Sequence, residues 1–210
     1  MHINQFFDHV YCINLDRNTQ RWQSTKDQLD KHDIMAERFS AIDGRYHHFK
    51  NSKYVTKGLN IYHHNKKINS AMAGLIYTHK LILIDAISKG YNSILILEDD
   101  ILLVDNFNEM FDKSIKELPG DWEFFYLGGQ YDWGKPIPYT QNISLSYKTL
   151  GGHAIGMKHT VFEEMLDGLS LRQPNDAFYA SNLHLYKAYN TASDLVTQDR
   201  DRFISDIVVQ

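Results

Sequence analysis

Hydrophobic positions fall in short blocks along this chain, and their spacing switches between continuous runs and helical stripes. The first block, His9-Val10-Tyr11-Cys12-Ile13-Asn14-Leu15, is β-branched and apolar, the pattern of a buried strand. Asp16 then opens a helix predicted over about residues 17–31, with Trp22 and Leu29 on one face. A second strand is predicted from Ala36 to Ile42, stopped by Asp43-Gly44. From Arg45 to Lys67 the chain is polar, His-rich and aperiodic, and reads as a long surface excursion of the kind that often carries function. Ser70 to Lys89 is a helix in which Leu75, Leu81, Leu83 and Ile84 mix with Ala and Ile, too apolar for the surface; Gly90 is its stop.

The run Ser93-Ile94-Leu95-Ile96-Leu97 has no polar alternation and ends in Glu98-Asp99-Asp100, as a central strand covered on both faces would. A helix follows from Phe107 to Leu118, ended by Pro119-Gly120. Glu123 to Leu127 is another strand, ended by Gly128-Gly129. Asn142 to Met157 reads as one or two strands around Gly151-Gly152, and His159 to Leu166 and Asn175 to Leu183 as helices. The alternation predicts an α/β domain over residues 1–210: a central mixed, mostly parallel sheet flanked by helices. Ligand sites in such sheets form at the carboxyl ends of strands. Four clusters occupy that position: Asn14 to Arg17, Asp43-Gly44, Glu98 to Asp100 and Gly128 to Gln130.

Composition narrows the partners. A chain of 210 residues, 43% hydrophobic, suits one domain with a real core. The net charge of −4 offers no overall field for nucleic acid or an anionic membrane. Lys66 and Lys67 near His63 and His64 make either a local cationic patch or a solvated loop. The lone Cys12 has no partner for an internal disulfide and reads as a small buried hydrophobe. Residues 1–5 lack a basic-then-apolar signal pattern, and the apolar runs fall short of a membrane span. A soluble, cytoplasmic chain with no membrane span is therefore expected.

The acidic triplet carries the chemistry. Adjacent like charges repel, and a divalent cation compensates them naturally, since carboxylate oxygens suit Mg²⁺ and Mn²⁺. In a strand Glu98 and Asp100 face one way and Asp99 the other, so the first two could share an ion. The alternatives are a solvated strand end or a helix N-cap at Asp100.

Taken in order, these landmarks resemble glycosyltransferase family 25, the lipopolysaccharide and collagen glycosyltransferase group. Val10 to Arg17 with Arg21-Trp22 is similar to the family's first strand, and Ala41-Ile42-Asp43-Gly44 to its next strand end. Gly74-Leu75-Ile76-Tyr77-Thr78-His79 is similar to a helical mark, and Ile94 to Asp100 to the strand with a DxD-like end. Gly152-His153-Ala154-Ile155-Gly156 and Asn175-Asp176 resemble the late marks. The resemblance implies a Rossmann-like, GT-A-type fold and a metal-dependent transfer of a hexose from a UDP-sugar donor to a glycan, lipopolysaccharide or glycoprotein acceptor. Small domains of this kind in large DNA viruses decorate capsid glycans, which would put a viral member in the host cytoplasm.

The resemblance also distributes roles. Asp100 would be the main ligand of Mn²⁺ or Mg²⁺, with Glu98 reaching the metal or the ribose, and His153, His184 or Gln198 adding a ligand from late in the chain. Ile13, Asn14 and Arg17 would hold base and ribose, with Asp43 beside them. Thr78 and His79 would contact the donor, Asp99 its sugar hydroxyls, and Gly152 and His153 would lie at the sugar. Gly128-Gly129 and Gly151-Gly152 would leave room for sugar rings or form simple turns. Asp176 would be the general base of an inverting enzyme, a sugar ligand in a retaining one, or a helix N-cap. The rival readings are a metal-dependent nucleotidyltransferase, which normally carries a Gly-rich phosphate loop, and an inactive nucleotide-sugar-binding module.

Overall fold

The computed structural model describes residues 1–45, 61–63, 66–68 and 70–205, the two central segments by backbone alone. The long apolar runs form its middle. β1 (His9–Asn14) pairs in parallel with β2 (Glu37–Ser40) on one side and, on the other, with β5 (Ser93–Glu98). β5 is buried along its length up to Glu98. The sheet continues through β10 (Ala154–Lys158), β7 (Phe124–Tyr126), β11 (Ala188–Thr191), β9 (Ile143–Leu145) and β8 (Ile137–Pro138) to give the eight-stranded order β2-β1-β5-β10-β7-β11-β9-β8. Three neighbouring pairs are parallel and four antiparallel. The mixed sheet is thus found, but its parallel character is confined to β2-β1-β5 and β7-β11. Hydrophobic spacing carries a strand's existence and not its direction.

Alternate residues of the central strands face two cores. Tyr11, Ile13, Ile94 and Ile96 pack with Ile76, Ile82 and Leu83 of α3 (Ser70–Lys89), with α5 (Phe162–Gly168) and with α6 (Asn175–Asn182). Val10, Cys12, Leu95 and Leu97 pack with α1 (Ile3–Phe6), Leu29 of α2 (Thr19–Lys31) and Phe107 and Phe111 of α4 (Phe107–Glu117). The one-residue offset that divides the two sets is the strand's own period. Among the described residues α3 is a helix long and apolar enough to cross a membrane, although no such run was expected; Ala73, Ile76, Ile82, Leu83 and Ala86 bury against the sheet, which accounts for its composition. Gly90 stops α3 with φ +69°, the left-handed conformation that glycine adopts without strain.

Several elements are shorter than any periodicity can register. β6 (Ile101–Leu103) and β12 (Val196–Gln198) make an antiparallel ribbon in the register Gln198↔Ile101. Neither was expected, nor were α1, β8 and β11. Within the stretch read as a loop, β3 (Ile61–His63) and β4 (Lys66–Ile68) form a hairpin; the side chains of Lys66 and Lys67, and His64 altogether, lie outside the described residues.

Candidate active site

The carboxyl end of β5 is a knot of charge. Glu98 is its last residue, and Asp99 and Asp100 form the turn into β6. Asp99 is held from two sides: Oδ1 accepts from Arg21 Nε at 2.7 Å and Oδ2 from Asn14 Nδ2 at 2.6 Å. Arg21 Nη2 lies 2.6 Å from Asp99 and 3.0 Å from Asp100, so one buried guanidinium from α2 faces both aspartates. Burial still pushes the Asp99 carboxyl up, against Arg21 and Asn14, which favour its charge. Glu98 and Asp100 share one amide: Gln198 Nε2 donates to Glu98 Oε2 at 3.3 Å and to Asp100 Oδ1 at 3.3 Å. The β6–β12 register sets this contact, and Asp199 N–H donates to the Asp100 carbonyl at 2.7 Å. Burial raises the Glu98 carboxyl well above the usual range, and the charges of Asp100, Asp99 and Asp176 add to it.

Two clefts meet at Glu98 and Asp100. The narrower, about 650 Å³, has Ile13, Leu15, Ala41, Ile42 and Leu75 as apolar walls and Arg17, Arg21 and Asp43 as charged ones. Arg17 Nε is 3.4 Å from Asp43 Oδ2, and Arg45 holds the Asp43 carboxyl below its ordinary value. Two glycines let this wall close: a Cβ on Gly44 would lie 1.7 Å from the Ser70 carbonyl oxygen, and one on Gly74 would lie 2.3 Å from that of Ile42. The strand end carrying Asp43 thus rests directly on the first turns of α3. The wider cleft, about 1200 Å³, is lined by Gln130, Gly151, Gly152, Asn175, Asp176, Gln198, Arg200 and Phe203.

The structure brings Ile13, Arg17, Asp43, Glu98, Asp100, Gly152 and Asp176 to these clefts and assigns several other expected contacts elsewhere. Asn14 is fully buried, with its amide given to Asp99 and the Asn18 carbonyl and its oxygen to Arg38 Nε at 2.7 Å; it anchors Asp99. Asp99 lines the narrow cleft, yet both its oxygens are engaged by Arg21 and Asn14, which leaves it a positioning part. The Thr78 hydroxyl donates to the Gly74 carbonyl at 2.8 Å and accepts from Ile42 N–H at 3.0 Å, so it ties α3 to the β2 exit inside the core. His79 lies below the wide cleft between Asn175 Nδ2 (3.1 Å) and the Tyr179 hydroxyl (3.2 Å), and burial pushes its pKa down to about 4, leaving a neutral ring.

The late residues also separate. His153 points its Nε2 at the Val196 carbonyl, 3.3 Å away, and lines a third cleft beside Tyr131 and Asp194. His184 is exposed and lines none of these clefts. Gln198 alone of the three late candidates touches the acidic pair. Gly128 and Gly129 make room for the Val196 backbone and the Thr149 side chain. Asp176 accepts from its neighbour's amide, Ala177 N–H, at 2.7 Å inside the first turn of α6, whose N-cap is Pro174. Sequence reasoning cited Arg21 only as a pattern mark and missed Arg200; three adjacent carboxylates ending an apolar strand were the signal that a cation stands nearby.

The chain is thus a mixed α/β sheet with a carboxylate-ended central strand. The model of glycosyltransferase family 25 (LPS biosynthesis protein) matches residues 7–146, and the chain belongs to that family. Its relatives include a probable inactive glycosyltransferase 25 family member 3 of Rattus norvegicus, 25% identical over 58% of this chain and 23% of that protein. Procollagen galactosyltransferase 1 of Danio rerio is 24% identical over 58% and 21%. The matched part of the chain therefore spans less than a quarter of the length of these relatives. Among solved structures, a glycosyltransferase involved in the glycosylation of the major capsid of PBCV-1 aligns over 79% of this chain and 66% of its own, at 13% identity and a TM-score of 0.44.

Proposed function

We propose that the chain is a metal-dependent glycosyltransferase that moves a hexose from a UDP-sugar to a glycan, lipopolysaccharide or glycoprotein acceptor. The observation that carries this reading is the shared hold of Glu98 and Asp100 on the Gln198 amide where the two clefts meet. Among the described residues no group of three His, Cys, Asp or Glu side chains is placed to hold a metal ion by itself. Two carboxylates and an amide oxygen nevertheless suit Mn²⁺ or Mg²⁺, since Mg²⁺ commonly takes one or two protein carboxylates and completes its shell with substrate phosphates and water. Asp100, Glu98 and Gln198 would hold the ion, which when bound supplies positive charge to the departing diphosphate.

The chain's own groups divide the remaining work. Ile13 and Leu15 offer an apolar wall to the base, with Arg17 and Asp43 at the ribose. Gly152 lines the wide cleft beside Glu98, where the donor sugar would lie. Asp176, which lines the wide cleft, takes the proton of the acceptor hydroxyl in an inverting reaction and binds a sugar in a retaining one.

Thermal unfolding with UDP, GDP and CMP, each with Mn²⁺ and with chelator, tests the reading. UDP should stabilise the protein only with metal present, and Asp100→Asn should keep the fold but lose that shift. Equal shifts with all three nucleotides, or a UDP shift indifferent to chelator, would count against it. One observation favours a binding module without turnover: a relative of this chain is described as a probable inactive family member. That reading requires the same metal-dependent shift with neither transfer nor donor hydrolysis.

A further inference from the structure

The arginines of the two clefts are engaged differently. Arg17 and Arg21 end on the carboxylates of Asp43, Asp99 and Asp100. Arg200 ends on an amide: its Nη2 donates to Gln198 Oε1 at 3.0 Å, and among the described residues no carboxylate forms an ion pair with it. The same oxygen accepts from Gln130 Nε2 at 3.2 Å. Gln198 therefore stands as a neutral spacer, with two donors at its oxygen and two carboxylates at its nitrogen. Arg200 is exposed on the turn after β12 and lines the wide cleft together with Glu98 and Asp100.

We propose that Arg200 is a diphosphate-binding residue of the donor site, held in reserve by Gln198 until the acidic pair receives a cation. The inference rests on the donor reading above. A carboxamide ligates a cation through its oxygen, because its NH₂ group is a donor only. Gln198 must therefore turn its amide over to contribute, which puts its NH₂ where Oε1 now meets Gln130 and Arg200. Gln130 can answer by turning its own amide, since it carries both a donor and an acceptor. A guanidinium has five donors and no acceptor, so Arg200 must leave. The diphosphate of a donor would lie beside the same acidic pair, and a guanidinium fork matches phosphate oxygens in bidentate fashion. Cation and diphosphate binding are thereby coupled, and the coupling acts in both directions.

Calorimetric titration of the intact chain tests this, comparing wild type with Arg200→Gln and Arg200→Lys. The probes are Mn²⁺ alone and then UMP, UDP and inorganic pyrophosphate at saturating Mn²⁺. Arg200→Gln should bind Mn²⁺ at least as tightly as wild type, because no guanidinium holds the amide in the wrong sense. It should lose about tenfold or more in affinity for UDP and pyrophosphate, the scale of a hydrogen bond to a charged group, and less for UMP. Arg200→Lys should fall between, keeping charge but not the fork. Unaltered UDP affinity in Arg200→Gln would sink this inference and leave the donor reading standing. An equal loss for Mn²⁺, UMP and UDP would make Arg200 a structural part and sink it too. A wild type that binds neither UDP nor pyrophosphate with Mn²⁺ would remove both.

Discussion

The two clefts share Glu98 and Asp100 but are built by different means. The narrow one is formed by the ends of adjacent parallel strands, and its described arginines lie against carboxylates: Arg17 against Asp43, Arg21 against Asp99 and Asp100. The wide one is formed by the Gly151-Gly152 connection, the first turn of α6 and the segment that returns after β12. Arg200 and Asp176 stand in it without ion pairs among the described residues. The narrow side is electrostatically settled before any ligand arrives, as suits a rigid holder. Uncommitted charge lies on the wide side, where groups must gain and lose partners during a reaction.

The contrast breaks most sharply at Arg21. Arg21→Met removes the cation that faces Asp99 and Asp100 and leaves two aspartates and Glu98 crowded at the end of β5. Breaking a buried pair from one side costs about 3–5 kcal/mol, and chemical denaturation should read a loss of that size. Pairing the change with Asp99→Asn should recover part of it, since the orphaned charge is then gone. A loss below about 1 kcal/mol, the scale of exposed ion pairs, would mean that the narrow side is not held together by this pair.

Asp176→Asn probes the wide side. Transfer should fall by roughly 10²-fold or more if Asp176 is the general base, with donor and metal affinity nearly unchanged. The first turn of α6 survives the change, because an asparagine oxygen still accepts from the Ala177 amide. Transfer assays and calorimetry together decide. Near-normal transfer would remove the base assignment, and a large fall in donor affinity would move Asp176 to the donor sugar, as in a retaining enzyme.

The same contrast explains what was legible in the sequence. β1 and β5 are six-residue runs whose apolar character announces them, and their carboxyl ends carry the polar clusters of the narrow cleft. β6, β11 and β12 have three or four residues each and leave no period to read. Gln198 reaches Asp100 through a pairing across almost a hundred residues, and Arg21 reaches Asp99 across 78. Neither distance is visible in local patterns. The late ligand candidates therefore stayed a choice among His153, His184 and Gln198 until the β6–β12 ribbon decided which one touches the acidic pair. Asn14, Thr78 and His79 are the opposite case. Each is a polar residue near the expected site, but buried polar groups must find partners, and all three spend theirs on scaffold.

Thr78→Val sharpens the comparison with the smallest effect. Valine keeps the shape of threonine and removes the hydroxyl that joins the Gly74 carbonyl to the Ile42 amide. The Gly74 carbonyl lies inside α3 and loses only an added donor. Ile42 N–H loses its acceptor at a half-buried position, which sets the cost at roughly 1–2 kcal/mol. The loss should appear as a lower denaturation midpoint with an unchanged slope, because the surface exposed on unfolding is the same. Donor affinity, measured as UDP binding with Mn²⁺, should stay within about threefold, well under the 1.4 kcal/mol that a tenfold change requires. A Thr78 hydroxyl that touched the donor would give the reverse result: near-normal stability and a clear loss of UDP affinity. That outcome would return Thr78 to the binding site and show that the narrow cleft reaches further into α3 than Ala71 and Leu75, the α3 residues that line it.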